Sequence, residues 1–182
     1  MMVTECAKKY VGYLEHATPD LLGIFTANTG KGGCTIFAES INRLYRWRNF
    51  QGLPWCAVFV HAVYVEALGA QAAAKLLGKP HPGTHVLARR MKRRRLMRDR
   101  SYVPNPGDII FLSNHDNDFI SHVGIVVGVS DGKVYSVEGN TTDPSGTFEE
   151  EQGGAVALRK RKADDPAIVG YGEIMIGSGG YA

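Results

Sequence analysis

Residues 52–67 read GLPWCAVFVHAVYVEA, an almost unbroken apolar run that is long enough for a buried helix rather than a strand. Pro54 stands where the first turn of a helix tolerates proline. We therefore expect Cys56 at the N-terminus of a core helix, where unpaired backbone N–H groups and the helix dipole favour a thiolate. This pattern makes Cys56 a candidate nucleophile, although a free cysteine inside a helix is often only a small packing residue.

The composition is that of one globular domain. The chain has 182 residues, of which 44% are hydrophobic and 21% charged, and this length suffices for a single core. A net charge of +3 is too small to require a nucleic-acid partner. Three cysteines without a CxxC pair argue against a disulfide framework or a zinc site. We predict one monomeric domain over residues 1–182 with no cofactor, no metal and no nucleic-acid partner.

The chain changes character near residue 104. Before that point, apolar residues at helical spacing predict helices, the first over residues 3–14 and another over residues 37–45. After it, β-branched runs bounded by turn residues predict strands. The strands are expected at 107–112, 122–129, 133–139, 155–159 and 168–176. Helices followed by an antiparallel sheet indicate an α+β domain, with the nucleophile helix packed on the sheet.

His122 is the best candidate for the base that a nucleophilic cysteine needs. It follows a polar loop and opens an apolar strand, so its backbone is fixed at a sheet edge. A base of this kind also needs a polar partner that holds its tautomer and orientation. His61 is a rival, but five residues after Cys56 it lies about 140° round the helix and points elsewhere.

The register of the hairpin after His122 decides whether the histidine has such a partner. A three-residue turn at 130–132 with a G1 bulge would place Gly124 opposite Glu138 and His122 opposite Asn140. All four side-chain directions would then share one face, because strand side chains alternate with a period of two. A two-residue turn in the same place would point Glu138 and Asn140 away from His122. We therefore predict the bulged turn, with Gly124 leaving room for the Glu138 carboxylate.

Gln51 is a candidate contributor to an oxyanion hole. It precedes Cys56 by five residues, and its amide could donate a hydrogen bond beside the Cys56 backbone N–H. The alternative is an ordinary polar loop residue.

Four short motifs, in this order, resemble the CHAP family of cysteine, histidine-dependent amidohydrolases/peptidases. They are GLPWCAVFV at 52–60, PGDIIF at 106–111, HVGIV at 122–126 and VEGNT at 137–141. The closing VGYG at 169–172 also looks like the last strand of such domains, so the resemblance spans about residues 37–172. It implies a papain-like α+β fold and cleavage of peptidoglycan through an acyl-enzyme. The bond would be an N-acetylmuramoyl-L-alanine amide or a peptide bond of the stem or cross-bridge.

The resemblance also implies roles for individual residues. By matched position, Cys56 would be the nucleophile and His122 the base. Glu138 would orient the histidine, and Asn140 would assist at the site. Trp55, beside the nucleophile, is a candidate for substrate contact. The related NlpC/P60 peptidases usually carry Asp-Cys-Ser at the nucleophile and a histidine as third residue, and this chain has neither.

Some CHAP lysins bind calcium through acidic residues just before the cysteine, and this chain has none there. The segment 116–118, Asp-Asn-Asp, is the remaining metal candidate, and we do not expect it to bind one. We also expect no separate wall-binding module within these 182 residues. Residues 89–100 carry eight basic residues in twelve, which indicates either a solvated helix face or a patch for an anionic wall polymer.

The N-terminus has no basic segment followed by an apolar run, and no stretch of about 20 apolar residues could span a membrane. We therefore expect synthesis in the cytoplasm. Action on the cell wall would follow release, as for a phage endolysin, or export by a non-classical route.

Two other functions remain open at this point. One is a papain-like acyltransferase or non-wall amidase, which would form transfer products or act on other amides. The other is a non-catalytic, basic module that binds wall or nucleic acid and carries a relic site. The cysteine amidohydrolase is the interpretation that the motifs favour.

Overall fold

Helices precede strands along the chain, as the hydrophobic pattern predicts. The computed structural model describes residues 2–24, 32–113, 119–142 and 153–174. Five α-helices and one 3-10 helix (Pro19–Leu21) lie in these ranges. The α-helices are α1 (Val3–Lys8), α2 (Ile36–Leu44), α3 (Cys56–Leu68), α4 (Ala70–Leu77) and α5 (Thr84–Arg93). None of the helices in the described ranges is both long and apolar enough to cross a membrane.

Six strands form one antiparallel sheet in the order β1-β6-β2-β3-β4-β5. The strands are β1 (Met97–Arg98), β2 (Ile109–Leu112), β3 (His122–Ser130), β4 (Lys133–Thr141), β5 (Ala155–Lys162) and β6 (Ile168–Gly172). Helices on an antiparallel sheet make this an α+β fold, which confirms the predicted fold class.

Helix α3 is the centre of the core. Its first nine residues are all buried, and it packs against α1, α2 and α4 as well as against β3 and β4. An element that is apolar on every side must be enclosed in this way. The Tyr64 hydroxyl donates a hydrogen bond to the Gly107 carbonyl, which ties α3 to the segment before β2. Gly69, at φ 83°, then ends the helix.

The sheet presents two different faces. Val123, Ile125 and Val137 belong to the core cluster that includes α3. The other face carries a separate apolar cluster. Its buried members are Ile110, Leu112, Val126, Val134, Ile168 and Tyr171. Side chains that alternate along β3 and β4 thus face either the helices or this second layer.

The hairpin between β3 and β4 corrects the predicted turn. Ser130 pairs with Lys133, so the turn has two residues, Asp131 and Gly132, both at positive φ (50° and 66°). This is the geometry that favours Asp-Gly in a two-residue hairpin. The predicted three-residue turn is therefore wrong.

A bulge further along β3 restores the register that the turn would have lost. Val126 pairs with Ser136 but Gly128 with Tyr135, so Val127 is one extra residue in β3. From the Val126–Ser136 pair onward the two strands are in the predicted register. The face shared by His122 and Glu138 therefore arises from a bulge inside the strand.

Other boundaries also differ from the prediction, among them the ends of β5 and β6, which lie at Lys162 and Gly172 and not at residues 159 and 176. Helix α1 ends at Lys8, and Leu14 instead makes a β-bridge to Ala155. The basic run 89–100 is not one helix, because α5 ends at Arg93 and residues 97–98 join the sheet as β1.

Candidate active site

Cys56 is the first residue of α3, as the sequence predicts. Its side chain is 4% exposed and lies where α3 meets the sheet. Gly139 makes this close approach feasible, because a methyl group there would lie 2.6 Å from Cβ of Phe59 and 2.7 Å from the Trp55 ring. The backbone of β4 thus runs directly against the first turn of α3.

Trp55 anchors the start of α3. Its indole N–H donates to Oε2 of Glu15 at 2.7 Å, and its ring stacks on Phe37 with a centroid distance of 5.7 Å. The side chain is 1% exposed. Burial leaves no surface for a substrate, so the predicted substrate contact of Trp55 is corrected to a packing role that fixes the helix before the nucleophile.

His122 and Glu138 meet across the β3–β4 hairpin. Nε2 of His122 lies 3.1 Å from Oε2 of Glu138. The Glu138 carboxylate is fully buried and the His122 side chain is 13% exposed, so the pair is shielded from water. Gly124 provides the space, because a methyl group at residue 124 would lie 2.5 Å from Cγ of Glu138.

The Cys56 side chain lies beside the His122 ring, close enough to act on its proton affinity. With Nε2 turned to Glu138, Nδ1 is the ring nitrogen that remains free for another partner in the described contacts of this pair. Burial alone would lower the pKa of His122, but the interactions with Cys56 and Glu138 outweigh it and raise the pKa to about 9. The arrangement therefore favours the imidazolium form of His122.

Two residues that the sequence analysis missed complete the surroundings of Glu138. Ser136 donates its hydroxyl to Oε1 at 2.6 Å, and the Arg161 guanidinium bonds to both carboxylate oxygens. Burial would raise the pKa of Glu138, but the hydrogen bond from His122 and the positive charge of Arg161 hold it well below its usual range.

A signal for Arg161 was present in the sequence. Arg159 and Arg161 lie two residues apart and so share one face of β5, a strand that the sequence predicts to end at residue 159. A buried carboxylate needs a cation or several donors, so arginines on one face of a strand beside Glu138 indicate its partner.

Gln51 is engaged elsewhere. Its Oε1 accepts from the Thr35 backbone N–H at 2.8 Å, and its Nε2 donates to the Thr35 carbonyl at 3.1 Å. The amide thus braces the loop before α3 against the start of α2, and its role in an oxyanion hole stays a prediction.

Asn140 lies in an irregular part of β4. Its φ is 56°, and the pairing of β4 with β5 shifts between Glu138 and Thr141. Asparagine tolerates this left-handed conformation better than most residues. The β3–β4 ladder runs only from Ile125–Val137 to Ser130–Lys133, so strict alternation no longer governs Asn140. Its assisting role also stays a prediction.

The environment of His61 does not suit a catalytic base. It is buried in α3, its Nε2 has no hydrogen-bond partner, and burial lowers its pKa to about 3. Within the described ranges, no group of three His, Cys, Asp or Glu side chains is arranged to hold a metal. The segment 116–118 lies outside the described residues.

Comparison with known proteins gives one match. The family model described as CHAP domain matches residues 26–140, which is more than half of the chain. The matched range includes Cys56, His122, Glu138 and Asn140, and Arg161 lies beyond it. No curated protein and no solved structure matches the chain. With a matching family model and a helix-before-sheet fold of the expected kind, the chain belongs to the CHAP family of cysteine- and histidine-dependent amidohydrolases and peptidases.

Proposed function

We propose that this chain hydrolyses amide bonds of peptidoglycan, with Cys56 as nucleophile and His122 as base. The supporting observation is the contact of His122 with the buried Glu138, together with the position of Cys56 beside the same ring at the start of α3. Nucleophile, base and orienting acid are the three parts that covalent amide hydrolysis requires.

The reaction would proceed through an acyl-enzyme. The Cys56 thiolate attacks the carbonyl carbon, and the backbone N–H of Cys56 at the helix start stabilises the oxyanion. Imidazolium His122 gives its proton to the leaving amine, and the C–N bond breaks. Water then attacks the thioester, His122 accepts the water proton, and the free acid leaves as the thiolate re-forms. Glu138 orients the ring throughout, and Asn140 assists nearby.

The substrate and the products decide between the remaining functions. Purified peptidoglycan is digested and the muropeptides are analysed by mass spectrometry, with free amino acids and amines quantified. Hydrolysis predicts equal new amine and carboxyl ends. New amide products would instead indicate acyl transfer, and unchanged peptidoglycan would contradict the wall substrate. The position of the new ends also identifies the bond cleaved.

Some arginines of the basic run 89–100 are bound to other groups within the fold. Arg90 and Arg94 donate to backbone carbonyls at the end of α4, and Arg98 is paired with Glu173. These arginines neutralise the negative end of that helix or fix β1. The other basic residues of α5 and the following turn are exposed: Arg89, Lys92, Arg93 and Arg95. We propose these four as the contact for an anionic wall polymer, reached after release or export of the protein.

The pH dependence should follow the raised pKa of His122. The imidazolium is the acid that protonates the leaving amine, so we expect kcat/KM to fall as the pH rises through about 9. The same proton stabilises the fold. This contribution is complete below the ordinary pKa of 6.5 and is lost as the pH rises through about 9. A pH–rate profile and NMR titration of the His122 ring test this, and a midpoint near 6.5 would contradict it.

Gly124 should be needed for activity because of the room it leaves. In Gly124→Ala, the new methyl group would overlap Cγ of Glu138 and displace that side chain. A displacement of the order of 1 Å in an active site can lower the rate about 100-fold. We expect that fall in kcat/KM with a smaller loss of stability. Gly128→Ala is the matched control on the same strand, since nothing lies within 4 Å of its added methyl group. Equal activities of the two variants would contradict the prediction.

A further inference from the structure

Glu138 has more partners than a base-orienting carboxylate requires. Oε2 contacts Nε2 of His122 at 3.1 Å and Nη2 of Arg161 at 3.2 Å. Oε1 accepts from Ser136 and from Nη1 of Arg161. The Arg161 side chain is 17% exposed and its guanidinium spans both oxygens of a carboxylate that is fully buried. Such a two-point contact fixes both the position and the plane of the carboxylate.

The pairing of the outer strands explains how Arg161 reaches the site. Val134 pairs with Arg161 and Ser136 with Arg159, while Glu138 pairs with Ala157. Directly opposed residues share a face, so Arg161 extends along the sheet over Ser136 to Glu138. The small side chain of Ala157 opposite Glu138 leaves this path open.

In the proposed reaction, Arg161 has a role as the second cation beside Glu138, in addition to His122. His122 is positively charged before it protonates the leaving amine and neutral afterwards. A buried carboxylate beside a neutral imidazole has a strong tendency to take up a proton, and a protonated Glu138 would no longer favour the Nε2–H tautomer. The guanidinium keeps its charge in both states of the histidine.

We propose that Arg161 is a positioning residue, which keeps Glu138 ionised and oriented while His122 loses and regains its proton. The proposal rests on the proposed function, in which His122 is the base. It adds to the site a residue from β5, outside the range matched by the family model.

The test compares Arg161→Met, Arg161→Lys and the matched control Arg159→Met. Arg159 lies on the same strand face two residues away and makes no hydrogen bond to Glu138. Each variant is assayed for kcat/KM on peptidoglycan against pH, and for the rate of Cys56 alkylation by iodoacetamide against pH. Thermal melting shows that each variant is folded, and Arg161→Gln replaces Arg161→Met if the latter does not fold.

Removal of the cation should raise the proton affinity of both Glu138 and His122. In the pH profile, titration of Glu138 sets the low-pH limb and titration of His122 sets the high-pH limb. We expect both limbs of the Arg161→Met profile to move to higher pH by about one unit or more, because a close opposite charge shifts a carboxyl by that amount. At pH 7, kcat/KM should fall about tenfold or more through the loss of charge-assisted hydrogen bonds. Arg161→Lys keeps the positive charge but cannot bond both oxygens of the carboxylate in the same way. The limbs of its pH profile should therefore stay near those of wild type, while its kcat/KM remains low.

Three outcomes would overturn the proposal. They are limbs of a folded Arg161→Met variant that do not move, an equal shift in Arg159→Met, and an equal shift in Arg161→Lys. A rate loss without a shift would indicate only a structural role. If the wild type leaves peptidoglycan intact, the proposed function fails, and the alkylation profile still tests Arg161 because it needs no substrate.

Discussion

Replacement of Cys56 by alanine should abolish peptidoglycan hydrolysis and leave the fold intact. The thiol is the only group at the start of α3 that can form the acyl-enzyme, and water held by His122 cannot substitute for a covalent nucleophile. In enzymes with a nucleophile, a base and an orienting acid, loss of the nucleophile lowers kcat by about 10⁴-fold or more. The side chain that remains is small and stays in the buried start of the helix, so the loss of packing is slight.

Zymography on purified peptidoglycan and release of soluble muropeptides measure the effect. The matched control is Cys34→Ala, since Cys34 is also buried but its thiol is bonded to the backbone carbonyls of Ala17 and Gly32. We expect the control to retain most of its activity, and circular dichroism to show all three proteins folded. Lysis by Cys56→Ala at the wild-type rate would remove Cys56 from the mechanism. Binding to peptidoglycan without any hydrolysis by wild type would favour the non-catalytic module.

The nucleophile helix could be predicted because its signal is local. An apolar run of helical length after Pro54 admits one arrangement, and Cys56 is found at the helix start. Strand positions were also predictable, since β-branched runs and turn residues bound them. The ends of α1 and of the basic run were not, because their residues join a sheet through contacts distant in sequence, as in the Leu14–Ala155 bridge.

The hairpin shows what a local pattern leaves open. The Asp131-Gly132 turn follows the ordinary preference of a two-residue hairpin, and a bulge at Val127 then shifts the register by one residue. Nothing in a β-branched run marks which valine is the extra one, because the bulge is selected by packing on both faces. The contact of His122 with Glu138 was therefore predicted correctly from a turn that is wrong.

Arg161 escaped prediction for a related reason. The need for a cation beside Glu138 arises only when the carboxylate is known to be buried, and burial depends on how β5 covers β4. For Trp55, the prediction of a substrate contact is wrong because the side chain is buried. Its place beside the nucleophile predicts a substrate contact, whereas its hydrogen bond to Glu15 and its stacking on Phe37 enclose it in the core.

Glu138→Gln should show how much of the site depends on the charge of that carboxylate. The side chain keeps its size, so packing beside Gly124 is retained, but the negative charge that orients His122 is lost. A comparable change to the acid of a catalytic triad lowers kcat by about 10⁴-fold, and we expect a loss of about 10²- to 10⁴-fold here. Pre-steady-state acylation and steady-state hydrolysis of peptidoglycan measure it.

The same substitution should destabilise the protein, because Arg161 is left as a buried cation without its partner. Breaking one half of a buried ion pair costs about 3–5 kcal/mol in the free energy of unfolding. Glu66→Gln is the control, since Glu66 is paired with Lys9 at the surface and an exposed pair contributes about 1 kcal/mol or less. Urea unfolding at pH 7 gives both values.

The double variant Glu138→Gln with Arg161→Met separates the two effects. Removing both members of the buried pair relieves the unpaired charge, so stability should return towards that of wild type. Activity should not return, because His122 still lacks the carboxylate that orients it and stabilises its protonated form. Recovery of both properties together would show that Glu138 acts only through stability, and recovery of neither would show that Arg161 is not the group left unpaired.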